Sequence, residues 1–328
     1  MVKRNGRLLL SFPANRDAAR RTLRLYQPQR RAARALASIL EWMIGTGCHR
    51  WILPKFSDIL ERSATDPSMP ESIEGSCGVM LGSPEHRVRR AIASFRTTSG
   101  WEVAKVAFGA EGWEVICGEV EALKSLPPHT PGAPTLLGVH RGEGISLMRM
   151  PYFQGSVLKH GESADAIALL ASWRSVSQPS PISGFPEWAA IDSALSGSLR
   201  GRDVLERLSR MRLQPVVRHG DFARWNLLRT TNGGLMVLDW EWGQANGMPG
   251  IDLVHYFAQD ARLVQRLNPA GVVQSVMKSL ERPDCIKYLN ATGWNGDIAS
   301  AMIASIAYTV GAKQQANEEI LAALLDAR

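Results

Sequence analysis

Residues 216–243 read VVRHGDFARWNLLRTTNGGLMVLDWEWG, two short apolar runs with Asp221, Asn226 and Asp239 set around them. Between the runs stands Asn232-Gly233, a pair that favours a two-residue hairpin turn. Both turn positions need positive φ, which Asn tolerates and Gly adopts freely. With 232 and 233 as the loop, Thr231 faces Gly234, and counting outward sets Asn226 opposite Asp239. Directly opposed residues project on one face of a sheet with Cα atoms roughly 4.5–5.5 Å apart. The turn therefore predicts that an amide oxygen and a carboxylate converge. Two oxygen donors with open positions beside them suit Mg2+, a hard ion that keeps waters and is completed by substrate phosphates. Asp221 ends the expected strand 215–218, where a carboxylate can take a proton from an attacking hydroxyl.

The rest of the chain bounds what such a site can belong to. With 328 residues, 45% of them hydrophobic, the chain can build one large core or two ordinary ones. No apolar run is long enough to span a bilayer. The longest, 298–310, is interrupted by Ser and Thr and reads as a buried helix. The N-terminus shows no secretory pattern, so a cytoplasmic location is expected. Cys48, Cys77, Cys117 and Cys285 lie far apart with no CxxC pair, which argues for reduced thiols over a disulfide framework or a zinc site.

The net charge of +7 is unevenly spread: residues 1–50 hold eleven Lys or Arg and two acids, net +9, so the remaining 278 residues carry −2. This is a neutral body with a basic extension. Neither an aromatic-basic interleaving nor a recognised motif supports nucleic-acid binding. Within the extension, 17–26 reads as a short helix with Arg20, Arg21 and Arg24. Residues 28–44 read as an amphipathic helix, with Leu36, Ile39, Leu40, Met43 and Ile44 at helical spacing, Arg30, Arg31 and Arg34 on the polar side, and Gly45 as the stop. Residues 17–44 could pack on the main body with a solvated Arg face, dock on a membrane surface or a partner, or serve as a transit segment.

A polar, turn-rich stretch at 64–76 reads as a boundary. After it the pattern changes to strands: CGVML, RVRRAIASF and WEVAKVAF predict an antiparallel meander, a helix follows over 112–126, and more strand is expected around LLGVH and ISLMRM. From Pro151 onward the chain reads mostly as helix, the hairpin excepted. The predicted architecture is α+β, in three parts: a basic helical extension (1–70), a small antiparallel-sheet lobe (71–150) and a mainly helical lobe (151–328). In WEVAKVAF, Lys105 stands in an otherwise apolar strand. It either points to water or is buried and paired with an acid of the following helix, for which Glu119 and Glu121 are the candidates.

D-x-x-x-x-N followed by an Asp beyond a hairpin matches the catalytic loop and metal-binding Asp of phosphoryl-transfer enzymes. Here the sequence resembles the aminoglycoside phosphotransferase and choline kinase family, a branch of the protein-kinase-like two-lobed fold. HGDFARWNLL is similar to its catalytic loop, VLDWEWG with GMPGIDL to its metal-binding segment, and WEVAKVAF to its nucleotide-binding strand. The likeness covers about residues 77–257. It implies ATP or GTP with Mg2+ as cofactors and a small-molecule hydroxyl as acceptor.

By the same resemblance Asp221 is the catalytic base, His219 shapes the loop, and Asn226 and Asp239 hold the metal. Lys105 binds phosphates and pairs with Glu119, which family spacing favours over Glu121. Gly82 and Ser83, in LGSPEH, correspond to the phosphate-covering loop, and 148–152 to the hinge that meets the adenine. Asp252 matches a structural acid that caps its helix and braces the loop. Arg224 stands where many relatives have Pro or another small turn former. A cationic acceptor would call for a cluster of acids, for which Glu241, Asp252 and Asp260 are at hand; a neutral sugar or an amino alcohol is equally compatible. The competing function is a non-catalytic scaffold docking through its basic helices, against which stand the four polar residues Lys105, Asp221, Asn226 and Asp239.

Overall fold

The computed structural model describes residues 2–4, 7–13, 15–25, 31–47, 78–81, 88–142, 144–159, 161–312 and 317–326. The chain divides into two compact units, one of residues 1–124 with 134–154 and the other of residues 125–133 with 155–328. Among the described residues no helix is long and apolar enough to cross a membrane.

The first unit is built on an antiparallel sheet of β1 (Val2–Arg4), β2 (Arg7–Ser11), β3 (Gly78–Leu81), β4 (Arg90–Thr97), β5 (Gly100–Phe108), β6 (Gly138–Arg141) and β7 (Ile145–Pro151), in the order β1-β2-β3-β4-β5-β7-β6. Alternation along β5 sorts its side chains between two cores. Ala104 and Val106 join Val79, Ala91, Ala93, Phe95 and Leu147 on one face. Val103 and Ala107 join Ile116, Val120, Met148 and Met150 on the other, where the helix Gly112–Ser125 packs. Lys105 shares the parity of Val103 and Ala107 and so belongs to the helix face.

The N-terminal segment is not wholly helical as expected. It opens with the β1–β2 hairpin, and β2 adds to the sheet through Leu10↔Met80 and Ser11↔Val79. A brief apolar run such as 8–10 is compatible with strand or helix, and the unpaired edge of β3 decides for strand. Two helices follow, α1 (Arg16–Leu25) and α2 (Arg31–Thr46). Gly47, at φ +84, ends α2 in the left-handed conformation, two residues beyond the Gly45 stop read from the sequence.

Helix α1 is a brace on the sheet. Thr22 Oγ1 lies 3.4 Å from Ser94 Oγ, and a Cβ at Gly78 would fall 1.6 Å from that same Thr22 oxygen. The Arg21 guanidinium lies over the rings of Trp101 and Tyr152, 4.8 and 5.1 Å from their centroids. Of the three arginines expected on a solvated face, Arg20 and Arg24 are exposed and Arg21 is an anchor. Phe12, Ala19, Leu23, Leu40 and Ile44 close a small core between the helices, leaving Leu36, Ile39 and Trp42 exposed on α2.

The second unit begins with β8 (Gly155–Val157), which pairs with the hairpin of β12 (Leu227–Thr230) and β13 (Leu235–Val237). Two further antiparallel pairs join β9 (Ser180–Pro181) to β10 (Arg212–Leu213) and β11 (Val216–Arg218) to β14 (Gln244–Gly247). The helices follow mostly after β14, and among them Ile298–Gly311 is buried along nearly its whole length, as its apolar sequence predicts. Cys285 is a buried free thiol in the helix Pro283–Ala291 and Cys117 is also free; Cys48 and Cys77 lie outside the described residues.

The hairpin forms, but its register is one residue off the expected one. Leu227 faces Val237, Leu228 faces Met236 and Arg229 faces Leu235. The loop is Thr231-Asn232-Gly233, closed by Gly233 N–H donating to Thr230 O at 3.0 Å and Thr230 N–H to Gly234 O at 2.9 Å. Only Gly233 takes positive φ, +86, while Asn232 does not. The turn is thus a three-residue loop with a left-handed glycine, and Asn-Gly serves it through the glycine alone. Asn226 consequently faces Leu238, whose N–H it accepts at 2.9 Å, and Asp239 lies beyond the ladder.

Candidate active site

In the first unit Lys105 Nζ donates to Glu119 Oε1 at 2.7 Å and to Oε2 at 2.5 Å. The carboxylate is buried and the ammonium is about one-fifth exposed. Helical spacing explains the choice of partner. Ile116, Glu119 and Val120 share the face turned to the sheet, whereas Glu121, two residues past Glu119, falls on the far side of the helix and is exposed. A second ion pair links β5 to β7, Arg149 Nη1 to Glu102 Oε2 at 3.0 Å. In the 148–152 segment the Tyr152 N–H is already used by Trp101 O at 2.9 Å. Gly82 and Ser83 lie outside the described residues.

In the second unit the loop after β11 is fixed atom by atom. Asp252 sits in the first turn of the helix Ile251–Gln259 and is buried. Its Oδ2 accepts the His219 N–H at 2.6 Å and its Oδ1 the Gly220 N–H at 2.9 Å. It braces the loop, as the resemblance implies, but it does not cap its helix: the N-cap is Gly250, at φ +92. Gly220, at φ +87, presses on Trp242, whose Cβ would lie 2.5 Å from a Cβ at that position. Glycine is required there by conformation and by space. The ring of Trp242 is half-exposed.

His219 is fully buried among Phe222 and Trp240. Its Nε2 is 3.0 Å from Leu238 O, and its Nδ1 accepts the Asp221 N–H at 3.2 Å. A carbonyl can only accept and an N–H can only donate, so the ring is the neutral tautomer with its proton on Nε2. Burial holds its pKa below the ordinary 6.5, outweighing the pull of Asp252, Asp221 and Asp239. Both nitrogens are spent, so His219 shapes the loop and is no proton carrier.

A stability consequence follows from the buried ring. Below pH 6.5 the unfolded chain takes up a proton here that the folded chain refuses, so folding is progressively penalised. The contribution is intact above about pH 6.5 and falls toward lower pH by at most about 1.4 kcal/mol per unit. Chemical denaturation from pH 7.5 to 5.5 should show stability declining below 6.5, with a shallower decline in His219→Gln. Equal slopes for the two proteins would refute the assignment.

Asp221 is held from three sides. Asn226 Nδ2 donates to Asp221 Oδ2 at 3.0 Å and to its backbone O at 2.9 Å. His255 Nε2 lies 2.8 Å from Oδ1. The Asp221 side chain remains about one-third exposed, so one side of the carboxylate is open to a reactant. His255 escaped the sequence reading, because a single histidine on an apolar helix, 34 residues from its partner, carries no local signal. Arg224 opens the turn Arg224–Asn226 and its Nη2 lies 3.1 Å from Asp260 Oδ1, an ion pair that ties the turn to the helical segment beyond it.

Beneath the loop, Arg218 Nε meets Glu187 Oε1 at 2.7 Å, and the guanidinium lies 5.0 Å from the centre of the Tyr308 ring. Both charged side chains are buried, at 2% and 1% exposure. Burial pushes the Glu187 carboxyl above its usual range despite the arginine beside it.

Asp239 follows the hairpin at φ +73, a conformation that turns the chain sharply. Leu238 just before it is pinned at both ends, its N–H to Asn226 O and its carbonyl to His219. Strain of this kind persists where surroundings enforce it and is common at functional sites. Among the described residues no three His, Cys, Asp or Glu side chains gather as a metal centre would. A site completed by phosphate oxygens asks for less. The Asn226 amide nitrogen is committed to Asp221, so the oxygen that residue could offer a metal is its carbonyl, and the Asp239 carboxylate is a donor of the hard kind that Mg2+ takes.

No family model matches the chain, and no curated protein matches it in sequence. Solved structures do match in three dimensions. A thermostable mutant of aminoglycoside phosphotransferase APH(4)-Ia, in ternary complex with AMP-PNP and hygromycin B, aligns over 83% of this chain and 97% of its own with a TM-score of 0.50 and 13% identity. The choline kinase LicA from Streptococcus pneumoniae aligns over 76% of this chain and 93% of its own, TM-score 0.46 and 15% identity. A choline kinase from Cryptosporidium parvum Iowa II aligns over 87% and 94%, TM-score 0.43 and 12% identity. At such identities the likeness is one of fold. The chain has the α+β, protein-kinase-like fold found in an aminoglycoside phosphotransferase.

Proposed function

We propose that the protein is a phosphotransferase that moves the γ-phosphate of ATP or GTP to a hydroxyl of a small molecule. The observation that carries this reading is the Asp221 carboxylate, oriented by Asn226 and His255 on a loop clamped by Asp252, with one side open. Asp221 orients the acceptor hydroxyl and takes its proton as the oxygen–phosphorus bond forms and the bond to the nucleoside diphosphate breaks. Asn226 and Asp239 would hold Mg2+, which when bound neutralises charge on the phosphates. Lys105, held by Glu119, would bind the α and β phosphates, a role that the resemblance also extends to the loop of Gly82 and Ser83. Catalysis of this kind is mostly positioning and electrostatics, which suits a loop with so few free torsions.

The acceptor class is a hydroxyl-bearing small molecule such as a sugar, an amino alcohol or an aminoglycoside. Two of the acids that could greet a cationic acceptor are engaged otherwise, Asp252 by backbone N–H groups and Asp260 by Arg224 and Gln265. They do not argue for a polycation. The scaffold alternative loses part of its docking face to the anchoring of Arg21.

Thermal-shift titration with ATP, GTP and AMP, with and without Mg2+, tests the reading. ATP or GTP should stabilise, by about 2.7 kcal/mol at a hundred times Kd, more so with Mg2+. Asp239→Ala should lose the Mg2+-dependent part. Release of ADP or GDP should then be accelerated by one of a panel containing hygromycin B, choline and simple hexoses. No shift with any nucleotide at millimolar concentration would overturn the assignment.

A further inference from the structure

His255 reaches the site from outside the motif, and its contact is specific. We infer that His255 is a positioning residue that fixes the rotation of the Asp221 carboxylate, by donating from Nε2 to Oδ1 while Asn226 donates to Oδ2. The catalytic consequence rests on the phosphotransferase reading; the contact itself does not.

The geometry is that of a two-point clamp. One oxygen of Asp221 accepts from His255 at 2.8 Å and the other from Asn226 at 3.0 Å. An ionised carboxylate only accepts, so the ring must present Nε2–H to it. Turning the carboxylate about its Cβ–Cγ bond breaks both hydrogen bonds at once, whereas with either donor missing it pivots on the other. The imidazole is 5% exposed and the carboxylate 32%, so the clamp closes the buried side and leaves the outer lone pairs for an incoming hydroxyl. A reacting group has to be held within about 0.5 Å of productive geometry, and a 1 Å error can cost about a hundredfold in rate.

The same ring also lines a small cavity with Val254, Gln259, Arg262, Ser305 and Thr309. An alanine would enlarge that space and confound positioning with lost packing. His255→Leu keeps bulk and removes the donor, and His255→Gln keeps a donor amide of similar reach.

The test uses the full-length protein with 15N-labelled histidine. The seven histidines give resolvable ring signals, and His255→Gln assigns the one in question. In the wild type the His255 Nε2 proton should be protected from exchange, and the protection should vanish in Asp221→Ala. With MgATP and the acceptor panel above, His255→Leu should lower kcat by about ten- to a hundredfold with the KM for MgATP within about twofold, and His255→Gln should recover most of the loss. An unprotected proton in the wild type, or one indifferent to Asp221→Ala, overturns the clamp whatever the enzyme does. Wild-type turnover in His255→Leu overturns the positioning role. A protected proton in a wild type that forms no ADP from MgATP and no GDP from MgGTP would refute the phosphotransferase reading, and the positioning role with it, and leave the hydrogen bond standing.

Discussion

Asp221→Ala is expected to abolish turnover, by about a thousandfold within the 10²–10⁴ range of general-base removal, while nucleotide binding persists. In the proposed mechanism Asp221 acts only on the acceptor hydroxyl. Its carboxylate accepts hydrogen bonds from His255 and Asn226, and the proposed phosphate contact of Lys105 has its own partner in Glu119. Nucleoside diphosphate release measured beside a thermal-shift titration separates the two effects. Catalysis lost with the MgATP shift retained is the expected pattern. Turnover at the wild-type rate would remove Asp221 from the mechanism. Loss of the shift along with turnover would mean that Asp221 supports the nucleotide instead.

The second large effect concerns stability. Arg218 and Glu187 form a pair from which water is excluded, and removing one partner leaves the other buried without its counter-charge. Arg218→Ala or Glu187→Ala should cost about 3–5 kcal/mol, which for a unit of this size lowers Tm by roughly 6–20 °C. Replacing both together, with Arg218→Met and Glu187→Leu, should recover most of the loss, because the desolvation of two charges disappears with their attraction. Additive losses in the double variant, read from calorimetric melting, would show that the pair is not coupled and that packing alone was measured.

The parts of this site legible in the sequence are those governed by short-range rules. Lys105 in an apolar strand either faced water or paired with an acid of the next helix, the resemblance favoured Glu119, and helix periodicity explains why Glu119 meets it while Glu121 is exposed. The D-x-x-x-x-N spacing was legible as a catalytic-loop pattern, whereas the hydrogen bond of the Asn226 amide to Asp221 that closes within this loop was not read from it. The hairpin was legible as a hairpin but not in register. Asn232-Gly233 suits a two-residue turn and also a three-residue loop that uses only the glycine, and the flanking strands choose between them. Register had implied that Asn226 and Asp239 sit face to face. In the structure the positive φ of Asp239 and the pinning of Leu238 place that residue instead.

What could not be read off were contacts between residues distant in sequence and unremarkable by themselves. Glu187 and Arg218 are two ordinary charges until burial makes them a pair, and His255 looks like any histidine on an apolar helix. The strands at 2–11 were equally opaque. Their conformation is set by the edge of β3, about seventy residues away along the chain.

Asp252 and His255 stand three residues apart, on one side of a single helical turn. One grips the backbone of the loop at 219 and 220, the other grips the side chain at 221. That turn is therefore the mount on which Asp221 is carried, and the loop is its passenger. Substitutions in the loop can retune the base only within the travel that the mount permits. On the phosphotransferase reading, an acceptor whose hydroxyl arrives from a new direction would require the helix to tilt, and its packing against the buried helix Ile298–Gly311 would resist the change.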